Sequence, residues 1–140
     1  LEAIDNAKRH LRQPLSQAEM LRSKYLLALE GNDVASGLKW MLLSNSAVLM
    51  PAPRIVSWAC ETELRPFVHY VPVSPDLTDL EAVFHWCLQN EDLCKTIAEN
   101  GRVFAEVFMD EAQERALTQE TLHAYLKSVT LVLPQKHRKR

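Results

Sequence analysis

Glycine is scarce in this chain: Gly31, Gly37 and Gly101 are the only three in 140 residues. No GxGxxG fingerprint, P-loop or GxSxG elbow occurs, so dinucleotide, kinase and hydrolase readings lose their support. Cysteine is sparse too. The three thiols, Cys60, Cys87 and Cys94, cannot all pair within one chain and none sits in a CxxC spacing, which argues against disulfide and zinc frameworks and favours a reducing compartment. His10, His69, His85, His123 and His137 show no ligand spacing, so no metal site is expected. No apolar run approaches about 18 residues, and no charged-then-apolar leader is visible, so neither a membrane span nor a secretory signal is read. An excess of one charge is also lacking. A net charge of −2 argues against a nucleic-acid-binding surface. The basic residues Lys136 to Arg140 follow Pro134 and read as a solvated tail, with an anionic-membrane or nucleic-acid contact as the other reading.

What is present is a strand, turn, helix and strand pattern from Lys24 to Pro51. Tyr25 to Leu29 form a short apolar run, Glu30 to Asp33 supply turn chemistry, and Val34, Leu38, Met41 and Leu42 recur at helical spacing. Ala47 to Met50 then give a second strand. Before this unit, Leu1, Ile4, Ala7 and Leu11 share a helical face until Pro14, and Ser16 with Glu19 spells a capping box, so residues 1–23 read as a helical lead-in. After it, Arg54 to Leu64 read as a short helix and Val68 to Val71 as a third strand, ended or placed at an edge by Pro72. Leu77 to Leu88 keep a helical period behind Asp76 and Asp79. Leu93, Ile97, Ala98, Phe104 and Phe108 mark another helix, and Asp110 with Gln113 caps a last one. The pattern predicts one α/β layer: a small parallel sheet with flanking helices and a helical C-terminal run.

In open parallel sheets, ligands lie at the carboxyl ends of the strands, where backbone N–H groups of the next helix face them. Residues Glu30 to Lys39 occupy that place. The turn Gly31 to Ser36 offers N–H donors, Ser36 a hydroxyl and Lys39 a cation, which together suit a phosphate; the same turn also reads as plain helix capping by Asn32 or Asp33. Glu61, three residues after Trp58, suits ribose hydroxyls, or is a solvated glutamate beside a core tryptophan. His69 reads as a packed or hydrogen-bonded histidine, and Trp40 as packing.

The order and spacing of Lys24-Tyr25, Gly31-Asn32, Lys39-Trp40, Leu43 to Ser46, Trp58 with Glu61, Pro66, His69 to Pro72, Asp76-Leu77 with Asp79-Leu80, and Ala98 to Gly101 with Phe104 carry a resemblance. Over about residues 16 to 108 the chain resembles the CAP10/Rumi-like glycosyltransferases of family 90. The resemblance implies a Rossmann-like fold in a GT-B enzyme. It makes residues 24–130 part of the C-terminal donor-binding domain, followed by a basic tail at 131–140. It implies a UDP-sugar donor and inverting transfer to an acceptor hydroxyl, without a cofactor. Donor-binding residues are then Gly31, Asn32, Val34, Ala35, Ser36, Lys39 and Glu61. The resemblance also implies that the catalytic base belongs to an N-terminal domain outside this chain, so no catalytic residue is assigned here.

Two positions depart from the family pattern. Many members have a basic residue where Gly37 stands, and the Rumi-like branch has arginine at Glu30. The GNDVAS form of the loop is similar to the bacterial branch, which implies a lipopolysaccharide or capsule glycan acceptor and a cytoplasmic site near the inner membrane. Protein O-glycosyl transfer in the secretory-pathway lumen is the alternative. A non-catalytic ligand- or protein-binding α/β module, or a scaffold built on the last two helices, also fits the residues.

Overall fold

The computed structural model describes residues 13–130. The expected lead-in helix before Pro14 and the basic tail lie outside these residues. Two compact units meet in the chain at Ala105 and Glu106.

The first unit holds a three-stranded parallel sheet in the order β1 (Tyr25–Leu27), β2 (Ala47–Met50), β3 (Val71–Pro72). Register pairs Leu26 with Val48 and Leu49 with Val71. All four residues of β2 are buried because it is the central strand and both faces are covered. On one face Val48 and Met50 pack with Leu38, Leu42, Leu64 and Tyr70. On the other, Ala47, Leu49, Val71 and Val73 pack with Cys87, Cys94 and Ile97. Together these layers give the α/β architecture expected from the sequence.

Helix boundaries are tighter than the apolar periods suggest. Ser16 and Glu19 do form a reciprocal capping box, opening α1 (Gln17–Met20). The helix expected from Val34 is one short turn, α2 (Leu38–Leu42), with Gly37 at its N-cap. Neither Asn32 nor Asp33 caps it; Asp33 Oδ1 instead accepts from Val34 N at 2.8 Å. No helix spans Arg54 to Leu64. That segment is irregular, with Cys60 in left-handed backbone (φ 49°) before a 3₁₀ turn at Glu61–Glu63. The third strand starts later than expected because Val68 N and His69 N both donate to Arg65 O, closing a turn. Pro72 then ends it at the sheet edge.

Helix α3 (Leu80–Gln89) follows a turn in which Leu77 has φ 59°, and α4 (Glu91–Glu106) buries Cys94, Ile97, Ala98, Gly101 and Ala105 along one stripe. Cys94, not Leu93, faces inward. Gly101 is required by contact: a Cβ there would lie 2.8 Å from His69 O and 3.0 Å from Leu42 Cδ2. Cys87 is a core thiol, pushed up to about 12 by burial and then by neighbouring Cys94. In the second unit, Asp110 accepts from Ala112 N and Gln113 N and starts α5 (Glu111–Ser128).

Candidate functional site

Loops 28–37, 51–60 and 73–79 leave the carboxyl ends of β1, β2 and β3. Ala28 N and Val73 N still pair with β2, but beyond them the loops leave the ladder and several of their N–H groups are taken by side chains. Glu30, after β1, does this for the next loop. Its Oε1 accepts from Arg54 N at 2.8 Å and Ile55 N at 3.0 Å, and its Oε2 accepts from Arg54 Nε at 3.1 Å. The Ile55 N–H chiefly, with the Arg54 groups, holds the Glu30 carboxyl below its ordinary range against the opposing effect of burial.

Holding Arg54 by Nε leaves its terminal nitrogens uncommitted among the described residues, and its side chain is 71% exposed. Beside it is a cavity of about 190 Å³ whose wall includes Ala28 and Met50 at the strand ends, Glu30, Ala35, Arg54 and Leu77. Ligand pockets usually enclose roughly 300 Å³ or more. This one therefore suits part of a ligand.

A second carboxylate organises the rest of the loop. Glu61 is 3% exposed and takes three hydrogen bonds: Ser57 N on Oε2 at 2.6 Å, Ser57 Oγ on Oε1 at 2.6 Å, and Lys39 Nζ on Oε1 at 3.2 Å. Burial alone would raise its pKa, but the Ser57 hydroxyl and backbone bonds, with Lys39, outweigh that and hold it at about 2. Lys39 Nζ also donates to Ser57 Oγ at 3.2 Å and lies 5.4 Å from the centre of the Trp58 ring. That tryptophan is 66% exposed, forming an aromatic surface beside the ion pair.

The structure thus joins Lys39 and Glu61, 22 positions apart, in one hydrogen-bonded cluster. It puts Ala35 in the cavity wall; Val34 is half-buried, and Gly31, Asn32 and Ser36 are exposed in the loop. A five-residue helix has little macrodipole to offer a phosphate, and Gly31 N is taken by Asp33 O at 3.1 Å. His69 is hydrogen-bonded: its Nδ1 accepts from Arg65 N at 3.0 Å while the ring lies 5.3 Å from Phe104. Burial, then Arg65, pushes its pKa down. Among the described residues no three His, Cys, Asp or Glu side chains gather as a metal site.

Sequence reading missed Arg54 and Ser57. Ser57 had a local signal in its four-residue spacing to Glu61, whereas Arg54 matters through Glu30, 24 positions earlier, which no local pattern shows.

A small parallel sheet with helices packed on both faces makes this an α/β protein, and in open sheets of this kind ligands lie at the carboxyl edge of the strands. The chain belongs to glycosyl transferase family 90, whose model matches residues 2–137. It is similar to the O-glucosyltransferase LpsA of Dichelobacter nodosus, 38% identical over 108 residues, which is 77% of this chain and 34% of that protein. Uncharacterized protein 035R of invertebrate iridescent virus 3 is 31% identical over 122 residues, 86% of this chain and 11% of that protein. Protein O-glucosyltransferase 1 of Rattus norvegicus is 32% identical over 81 residues, 58% of this chain and 20% of that protein. The chain therefore spans about a third or less of the length of these relatives. No helix among the described residues is long and apolar enough to cross a membrane.

Proposed function

We propose that this chain is the donor-binding part of a GT-B glycosyltransferase that moves a sugar from a UDP-sugar to an acceptor hydroxyl with inversion. The observation that carries this reading is the cavity at the strand ends with the Arg54 guanidinium fixed beside it by Glu30. A departing diphosphate needs fixed donors where its charge develops, and an arginine held by Nε offers two N–H-bearing nitrogens in one plane. Glu30, where the Rumi-like branch carries arginine, then serves to place an arginine from the following loop. The basic residue missing at Gly37 has a steric counterpart, since a Cβ there would lie 3.1 Å from Met41 Cε and 3.2 Å from Trp40 Nε1.

Lys39 adds charge toward the diphosphate, while Glu61 faces the ribose. A carboxylate has about four acceptor positions. Ser57 N, Ser57 Oγ and Lys39 Nζ take three of them here and keep the carboxylate ionised, the form that accepts from a hydroxyl. Trp58 offers a stacking face for the uracil. Gly31, Asn32, Val34, Ala35 and Ser36 form the wall and backbone donors on the β1 side. The acceptor base sits in the part of the protein outside these residues. The bacterial-type form of the GNDVAS loop favours a lipopolysaccharide or capsule acceptor at the cytoplasmic side of the inner membrane; the rat relative's name favours a protein hydroxyl.

Calorimetric titration of the full-length polypeptide with UDP, and with ADP as control, tests the site. UDP should bind selectively, with Arg54→Ala and Lys39→Ala each weakening UDP about 10-fold while sparing uridine. Equal binding of UDP and ADP, or parent-like affinity in both variants, would mean the donor lies elsewhere and would favour a non-catalytic α/β module.

A further inference from the structure

The hydroxyl of Ser57 sits between the cation and the carboxylate of the loop after β2. Its Oγ donates to Glu61 Oε1 at 2.6 Å and accepts from Lys39 Nζ at 3.2 Å and from Ala59 N at 3.3 Å. A hydroxyl has one proton to give and two lone pairs to accept with. All of these are used within the protein. Because Lys39 Nζ and Ala59 N can only donate, the hydroxyl proton is committed to Glu61. Ser57 therefore has nothing left for a ligand, and what it does at the site it does through its neighbours.

Lys39 is the neighbour that gains. A lysine ammonium is a compact charge on a flexible stem, with donors that rotate freely. Paired with one carboxylate oxygen alone, it would swing about that single contact. Here Nζ lies 3.2 Å from both Ser57 Oγ and Glu61 Oε1, which are themselves 2.6 Å apart, and 5.4 Å from the centre of the Trp58 ring. Two acceptors and a ring restrict where the third N–H can point. Closing the loop does not require the hydroxyl, because the Ser57 backbone N–H donates to Glu61 Oε2 at 2.6 Å whatever the side chain.

We infer that Ser57 is a positioning residue of the donor site: its hydroxyl, shared by Lys39 and Glu61, aims the Lys39 ammonium at the donor's diphosphate without touching the donor. The inference rests on the proposed reading of Lys39 as a diphosphate contact. Loss of the hydroxyl keeps the charge but lets it wander, so phosphate-bearing ligands should suffer and phosphate-free ones should not.

The test is a double-mutant cycle on the full-length polypeptide, read by calorimetric titration with UDP and with uridine. Ser57→Ala should weaken UDP about 5-fold, less than Lys39→Ala does, while uridine changes by less than about 2-fold. In the Lys39→Ala background the same change should cost UDP binding less than about 2-fold, because the residue through which Ser57 acts is gone. Ser57→Thr, which keeps the hydroxyl, should bind UDP as the parent does. Ser57→Cys, whose thiol is only a weak donor and acceptor, should show the same UDP-selective loss and serves if the alanine variant does not fold. Parent-like UDP affinity without the hydroxyl, an equal loss for uridine, or a loss that keeps its full size without Lys39 would overturn the inference and leave the donor site standing. Parent-like UDP binding by Lys39→Ala would overturn the donor reading of Lys39, and this inference with it.

Discussion

The loop after β2 and helix α4 are built on opposite terms. Helix α4 satisfies its own backbone and is held by an apolar stripe from Cys94 to Ala105. The loop around 54–61 has little secondary structure. Its N–H groups at Arg54, Ile55 and Ser57 are instead taken by the carboxylates of Glu30 and Glu61. Packing tolerates no added volume but is indifferent to pH; a carboxylate frame tolerates changes of shape but depends on charge. Arg54 and Glu61, two of the charged side chains in the proposed site, belong to the second kind of structure.

The largest effect expected from this contrast is in the helix. Gly101→Ala places a methyl 2.8 Å from the His69 carbonyl, a backbone atom that cannot rotate away. The variant should lose about 1–3 kcal/mol of stability, read as a lower denaturation midpoint. Because the clash is steric, the loss should be the same at pH 7 and at pH 4. A loss that varies with pH would show that the helix and the carboxylate frame do not behave as separate terms.

Glu61→Gln should come next and behave in the opposite way. The folded pKa of about 2 lies below the ordinary 4.5, so ionised Glu61 contributes stability that is fully present above about pH 4.5 and lost as pH falls toward 2. By linkage that contribution is at most about 3 kcal/mol. Denaturant titrations across that window should show the parent converging on the variant as the acid range is entered. The variant should also bind uridine and UDP more weakly, to about the same degree. Parallel stability curves at all pH values would remove Glu61 from its framing role.

The same contrast explains what was legible in the sequence. Strands β1 and β2, the caps at Ser16 and Asp110, and the helical run after Asp79 follow from apolar period and local capping chemistry. Lys39 and Glu61 could be picked by residue type and resemblance, but not as partners, because their bond spans 22 positions. The segment 54–64 read as a short helix holding Trp58 and Glu61. In the structure its amides are claimed by side chains before a helical ladder can form, and Cys60 turns left-handed. Side-chain bonds to backbone carry no period, so the part of the chain built from them is the part a periodic reading misses.

The smallest effect, and the sharpest test of the frame, is expected at Glu30. Glu30→Gln keeps the shape and one acceptor oxygen, so either the Arg54 and Ile55 N–H groups or the guanidinium loses its partner. The pair is largely exposed at Arg54, and such contacts contribute about 0–1 kcal/mol to stability. Thermal denaturation should therefore shift little. UDP affinity should fall, by less than in Arg54→Ala, because the arginine is present but no longer fixed by Nε. In contrast, Glu30→Arg, which supplies the residue found in the Rumi-like branch, removes the acceptor and sets two like charges together. If that variant binds UDP as well as the parent does, the cation itself matters and its placement by Glu30 does not; if it binds worse than Glu30→Gln, positioning of Arg54 is what the glutamate provides.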